Sequence, residues 1–185
     1  MKSKKILSKL SALIVVLLLI ATLCSCNISL PGKPNITSLN FKTDARISYK
    51  SYDIIECKMV SVEDGPLTID IEKPVLLSGL QLICQNGGCT IKVGSLSYDA
   101  DINKFPQVGF GNILRQSLIL AKDSTEAEKN DDGTWTIKSQ LDSSHIELLI
   151  DGKTGYPISL SIPEEEIKVV FLNFTNEIET TQEAK

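Results

Sequence analysis

The chain has 185 residues, of which 42% are hydrophobic, and its 19 basic and 23 acidic residues give a formal net charge of −4. This length suits one domain with one hydrophobic core once the terminal segments are set aside. The acidic excess, without any basic stripe, argues against nucleic acid as a partner.

The N-terminus has the three-part layout of a secretory signal peptide. Lysines at positions 2, 4, 5 and 9 precede an uncharged apolar run from residue 10 to residue 23. At about 14 residues, the run is shorter than the roughly 20 residues of a transmembrane helix. We predict that residues 1–25 are a signal peptide, whose removal leaves 15 basic and 23 acidic residues and a net charge of −8.

The end of the leader predicts a lipid anchor. Leu23-Cys24-Ser25-Cys26 places a leucine three residues before Cys26 and a small serine directly before it, which resembles the signal of bacterial lipoproteins. The resemblance implies a diacylglyceryl group on Cys26, and two acyl chains anchor a protein stably. We expect the extracytoplasmic face of a bacterial cell membrane, with residues 26–38 as a tether that reaches at most about 40 Å. Ordinary secretion with incidental cysteines is the alternative.

From Asn40 onward, short alternating strands are separated by turn residues. In the first strand, Phe41 and every second residue to Tyr49 share one face, opposite polar and charged residues. This period of two is typical of a half-buried strand. Further strands are predicted at residues 52–63, 67–72, 75–84, 89–93 and 96–101.

Two cysteines flank a predicted hairpin turn. Asn86-Gly87 is favoured in a type I′ turn, and in that register Cys84 faces Cys89 in a non-hydrogen-bonded pair, with Cα atoms about 4.5 Å apart. Because an exported protein permits disulfides, the pair is either a Cys84–Cys89 disulfide or two free thiols on a strand. Cys57 is predicted to be a small buried hydrophobic residue.

The pattern changes between residues 106 and 122, where apolar residues recur at helical spacing. One stripe consists of Phe110, Ile113, Leu114, Ser117, Leu118 and Ala121. The remaining arc is assigned to Asn112, Arg115 and Gln116, and Ile119 and Leu120 widen the apolar surface. A helix this apolar must be covered on most sides. Gly109 and Gly111 are expected to set how closely it packs.

After the helix, residues 123–132 are predicted to form a charged connector. Strands follow at residues 134–141, 146–150, 156–162 and 167–174. The last strand is apolar on both faces, so we expect both faces to be covered. Residues 177–185 are predicted to be a disordered polar tail.

About ten antiparallel strands with one apolar helix after the sixth resemble the lipoprotein-carrier fold of the LolA and LolB family. The resemblance spans roughly residues 39–175 and includes the segment Pro74-Val75-Leu76-Leu77-Ser78-Gly79-Leu80 and the turn at residues 151–157. It implies a mainly β (α+β) domain at residues 39–176, in which a strongly curved antiparallel sheet forms half a β-barrel around the helix. Members of the family bind acyl chains or lipoproteins in the concave face, and some resemble sensors or partner-binding modules.

The sequence carries no recognisable catalytic motif. His145 is the only histidine, and we interpret it and Glu147 as a solvent-facing pair on one strand face. The chain has no Gly-x-Ser-x-Gly elbow, no phosphate loop and no calcium loop. We therefore expect no enzyme activity, no metal site and no cofactor.

These features predict a membrane-anchored binding module for an apolar ligand, either an acyl chain or a lipidated or hydrophobic segment of a partner. The candidate groove residues are Phe110, Ile113, Leu114, Leu118, Trp135 and Tyr156, and filling the core is the alternative role of each. A second hypothesis is a scaffold or regulator of a cell-envelope enzyme, such as a spore or cell-wall amidase. An empty apolar cavity beneath the helix would favour the first, and an exposed hydrophobic patch over a filled core would favour the second.

Replacing Cys26 with alanine tests the anchor. The variant Cys26→Ala lacks the predicted lipid acceptor, so we expect it to lose the diacylglyceryl group and to leave the membrane fraction. Cell fractionation and mass spectrometry of the intact protein measure both effects. The control Cys24→Ala keeps the Leu-x-Ser-Cys pattern and should stay with the membrane. An unchanged membrane association of Cys26→Ala would contradict the anchor.

Overall fold

The computed structural model describes residues 38–52, 54–100 and 109–176. The predicted signal peptide, the predicted lipid acceptor Cys26, the predicted tether up to residue 37 and the predicted tail at 177–185 lie outside the described residues.

The described residues form an antiparallel sheet of eleven strands and one α-helix. The strands are β1 (Phe41–Tyr49), β2 (Ile55–Ser61), β3 (Leu67–Lys73), β4 (Leu80–Gln85), β5 (Gly88–Val93), β6 (Leu96–Ala100), β7 (Glu126–Lys129), β8 (Trp135–Leu141), β9 (Ser144–Ile150), β10 (Pro157–Ile162) and β11 (Ile167–Thr175). Helix α1 (Phe110–Asp123) follows β6. The order in the sheet is β6-β5-β4-β3-β2-β1-β11-β10-β9-β8-β7, so β6 and β7 are its edges and the sheet is not closed.

The first and last strands join two meanders, β1–β6 and β7–β11, at the middle of the sheet. β1 pairs with β11 from Tyr49 opposite Ile167 to Lys42 opposite Thr175, with a register shift between Lys42 and Asp44. At this shift the Thr43 hydroxyl donates a hydrogen bond of 2.6 Å to the carbonyl of Leu172. The two halves of the chain are therefore one continuous sheet.

The sheet curves around α1. The helix contacts β3, β4 and β5 on one flank of the sheet and β8 and β9 on the other. β4 and β8 are seven strand spacings apart, about 34 Å in a flat sheet, whereas a 14-residue helix is about 21 Å long. One helix can contact both flanks only if the sheet bends toward it. This confirms the predicted fold class of an open antiparallel sheet with one helix.

The core lies between the concave face of the sheet and α1. In β1 the buried residues alternate as predicted, and the inward positions of β3, β9 and β10 are filled by fully buried aliphatic residues such as Ile69, Leu148 and Leu160. Each such side chain contributes roughly 1.5 to 3 kcal/mol by leaving water.

Helix α1 buries more of its surface than a one-sided stripe would. Leu114, Leu118 and Ala121 are buried, as the spacing predicts, but Asn112, which the sequence assigns to the polar arc, is only 7% exposed. The assignment of Asn112 was wrong because both flanks of the curved sheet cover the helix. Arg115 is half-buried, and its Nε donates a hydrogen bond of 3.0 Å to the carbonyl of Gly65.

Two segments differ from the sequence-based prediction. Residues 126–129 of the predicted charged connector form the edge strand β7, which pairs with β8 from Glu126 opposite Lys138 to Lys129 opposite Trp135. An edge strand needs no apolar face and is protected by charges, so its pattern resembles that of a loop. The predicted strand at 75–84 begins only at Leu80, because Val75–Leu77 form a 3-10 helix in the β3–β4 connection.

A disulfide bond joins Cys84 to Cys89, whose Cα atoms are 4.2 Å apart. Gln85 faces Gly88 in the hairpin, as in the predicted register, and Asn86 and Gly87 both have positive φ angles. The disulfide lies against the first turn of α1. A Cβ atom added to Gly111 would be 2.7 Å from the sulfur of Cys84 and 3.4 Å from the Cδ1 atom of Ile69.

Counting reactive thiols tests the disulfide. Cys57 is the free cysteine of the described residues, and burial raises the pKa of its thiol to about 12. In a mature chain carrying Cys26→Ser, we expect no thiol to be labelled in the native state, one after unfolding without reductant, and three after reduction. Mass spectrometry of the alkylated protein gives the number and the positions. Three labels without reductant would show that Cys84 and Cys89 are free.

Gly111→Ala tests the close approach of α1 to the disulfide. Alanine favours a helix by up to about 1 kcal/mol, but the added methyl group meets Cys84 and Ile69, and overpacking of this kind costs about 1 to 3 kcal/mol. We expect the free energy of unfolding in urea to fall. The matched control is Gly88→Ala, whose Cβ would approach only the Gln85 carbonyl, at 3.8 Å. Equal stability of both variants would contradict the close packing of α1 against the disulfide.

Candidate ligand-binding site

An apolar cavity of about 390 Å³ opens between the ends of β1 to β4 and the start of α1. Among the described residues, its walls carry no charged side chain, and the polar groups of these walls are tyrosine hydroxyls and backbone atoms. The lining residues are Tyr49, Tyr52, Ile55, Ile71, Pro74, Leu76, Leu77, Leu80, Leu82 and Phe110.

Aromatic rings form one side of the cavity. The ring of Tyr49, the last residue of β1, lies 5.6 Å from the ring of Phe110, the first residue of α1, and 5.8 Å from that of Tyr52. Tyr49 and Phe110 are buried, whereas Tyr52 is 53% exposed. The rings therefore line the cavity from the core to the surface, at spacings within the range of favourable aromatic pairs.

The β3–β4 connection forms the opposite side. Its 3-10 helix is held by hydrogen bonds from the backbone amides of Leu77 and Ser78 to the carbonyls of Pro74 and Val75. This turn leaves Val75 87% and Leu76 95% exposed. Adjacent exposed aliphatic residues at the mouth of an apolar cavity are typical of a surface that contacts an apolar ligand or partner.

The predicted groove residues lie in different places. Phe110 lines the cavity; Leu114, Leu118 and Trp135 are buried in the core, and Ile113 is half-buried against it. Tyr156 is half-buried on another part of the sheet, where its ring is 4.9 Å from that of Phe174. The core beneath the middle of α1 is therefore filled, and the cavity lies at the N-terminal end of the helix.

Most of the lining residues are not among those predicted from the sequence. They lie in β1, β2, β3, β4 and two connections, and the apolar run Val75-Leu76-Leu77 is predicted as the start of a strand. The available signal was the lack of alternation in this run directly after a proline, which indicates an apolar turn instead of a half-buried strand.

A second depression, of about 640 Å³, is polar and lies between the end of α1 and strands β8 and β9. His145 is exposed there, and its Nδ1 atom lies 2.5 Å from Oε1 of Glu164, so its partner is Glu164 and not Glu147. The hydrogen bond from His145 lowers the pKa of Glu164. Within residues 38–52, 54–100 and 109–176, no group of three or more His, Cys, Asp or Glu side chains is arranged to hold a metal ion.

In the part of the chain that the structure describes, no helix is long and apolar enough to span a membrane. Helix α1 has only 14 residues.

Comparisons with known proteins found likenesses of structure only. No family model matches the chain, and no curated protein matches it. An uncharacterized conserved protein from Thermus thermophilus is similar with a TM-score of 0.46 and 9% identity, over 84% of this chain and 91% of that chain. The LolA superfamily protein NE2245 from Nitrosomonas europaea is similar with a TM-score of 0.39 and 10% identity, over 79% and 89%. The fold of this chain is defined by its own sheet order and helix contacts.

Proposed function

We propose that this protein is a lipid-anchored, non-enzymatic module that binds an apolar ligand, either an acyl chain or a hydrophobic segment of a partner, at the cell envelope. The observation that carries the proposal is the open cavity between β1 to β4 and α1. Its volume of about 390 Å³ is in the range of small-molecule sites, and the side chains of its described lining residues are all aliphatic or aromatic.

The chemistry of the walls selects the ligand. Burial of apolar surface stabilises a complex by roughly 25 cal/mol per Å², whereas a polar group without a hydrogen-bond partner opposes binding. A hydrocarbon chain buries apolar surface and brings no polar group that needs a hydrogen-bond partner. It therefore suits a cavity whose described walls carry no charged side chain. A headgroup would have to stay at the mouth, near Tyr52 and Leu76.

The anchor supports the same function. In the proposal, Cys26 carries the lipid, and the tether keeps the cavity close to the membrane, where acyl chains and envelope proteins are concentrated. A binding module without catalytic groups gains from this high local concentration of its ligands.

A second candidate function is a scaffold for a cell-envelope protein. The observation that favours it is the exposure of Val75 and Leu76, together with Ile54 at 58%, beside the cavity mouth. Exposed apolar groups of this kind can be covered by a protein partner.

Filling the cavity tests ligand binding. Leu80 is half-buried and lines the cavity, so Leu80→Trp would occupy part of its volume. We expect the affinity for a fluorescent acyl-chain probe to fall at least about ten-fold, which corresponds to about 1.4 kcal/mol. The matched control is Leu120→Trp, because Leu120 is also half-buried but lies outside the cavity.

Equal probe affinities of the two variants would contradict binding in the cavity. Mass spectrometry of the protein purified from membranes distinguishes the two candidate functions. Co-purifying lipid supports the binding module, whereas a stoichiometric protein partner without lipid supports the scaffold.

A further inference from the structure

We propose that the ligand is an amphiphile with a negatively charged headgroup, and that Lys50 binds this headgroup at the mouth of the cavity. The inference rests on the proposed function, because it requires that a hydrocarbon chain occupies the cavity. It adds the charge of the ligand and the residue that recognises it.

Lys50 is positioned beside the cavity wall. It follows β1 directly, and its backbone amide donates a hydrogen bond of 2.9 Å to the carbonyl of Glu166. Its Nζ atom lies 5.0 Å from the centre of the Tyr49 ring, which lines the cavity. The position of this ammonium group is therefore set by a residue that also contacts the ligand site.

The ammonium group of Lys50 is available for an anion. Within the described part of the chain, no ion pair involves Lys50. The carboxylate of Glu165 is nearby and accepts a hydrogen bond from the hydroxyl of Ser144 at 3.3 Å. The Tyr49 side chain, through a hydrogen bond, and the charge of Glu165 raise the pKa of Lys50, so this lysine is charged at neutral pH.

The other lysine at the mouth is already paired. Lys73 precedes Pro74 of the lining, and its Nζ atom lies 2.7 Å from Oε2 of Glu56. Glu56 also pairs with Arg46 at 3.4 Å. Lys73 is thus paired with a carboxylate on the outer face, which leaves Lys50, among the residues that the structure describes, as the unpaired cation beside the lining.

The headgroup must stay outside the walls, because their described residues include no cation and transfer of an unpaired charge into apolar surroundings is strongly unfavourable. At the mouth, an exposed pair of opposite charges contributes up to about five-fold in affinity. The hydrocarbon chain of the ligand therefore supplies most of the affinity, and Lys50 supplies the selection between ligands of different charge.

The test uses four probes with the same twelve-carbon chain; the three ionic probes are kept below their critical micelle concentrations, and the alcohol is kept below its solubility limit. They are dodecanoate, dodecyl phosphate, dodecanol and dodecyltrimethylammonium, and their affinities are measured by displacement of a fluorescent acyl probe from the mature chain carrying Cys26→Ser. We expect the two anionic probes to bind up to about five-fold more tightly than dodecanol, and the cationic probe to bind most weakly. A preference between carboxylate and phosphate identifies the class of headgroup, and either result supports the inference.

Two variants assign the effect to one residue. Lys50→Gln keeps the aliphatic stem and removes the charge, so the anionic probes should fall to the affinity of dodecanol, which itself should not change. The matched control is Lys129→Gln, which removes the same charge from the exposed end of edge strand β7. It should retain the preference for anions, and added salt should reduce that preference in the unchanged protein.

Equal affinities of dodecanoate, dodecyl phosphate and dodecanol for the unchanged protein would overturn the inference and leave the proposed function standing. An equal loss of preference in Lys50→Gln and Lys129→Gln would also overturn it, because net charge would then be the cause. Failure of all four probes to bind would instead contradict acyl-chain binding in the cavity, which is the part of the proposed function on which the inference rests.

Discussion

The structure depends on one constraint, which is that both flanks of a single sheet must cover the same apolar helix. α1 buries residues around most of its circumference, and a flat sheet could cover only one side of it. The pairing of β1 with β11 makes the two meanders continuous, so that β4 and β8 can reach the helix from opposite sides. The burial of Asn112 and the close approach of Gly111 to the disulfide both follow from this wrapping.

The cavity arises where this coverage ends. Leu114 and Leu118 in the middle of α1 are buried in the core that α1 forms with β4, β8 and β9, but Phe110 at its first turn lines an opening bounded by strand ends and two connections. Strand ends diverge in a strongly curved sheet, and connections pack less closely than paired strands. An opening therefore forms at the N-terminal end of the helix, and its walls are apolar because they continue the core.

The sequence predicted the fold better than the site, for physical reasons. Period-two alternation, as in β1, and the helical spacing from Phe110 to Ala121 report which face of an element is buried, and that information defines strands, helix and their order. It cannot report how completely a buried face is filled, so Leu114 and Trp135 were expected in a groove but lie in the core. β7 was missed because an edge strand with charges has no apolar face to detect.

The predicted tether and the cavity lie at opposite ends of β1. Residues 38–40 lead directly from the predicted tether into Phe41, whereas the cavity begins at Tyr49, the other end of the same strand, about 30 Å away. A tether of about 40 Å is longer than this strand. In the proposed anchored form, the mouth of the cavity can therefore face either the bilayer or the envelope space. The orientation of the domain, in addition to its distance from the membrane, is then a quantity that ligand or partner binding can control.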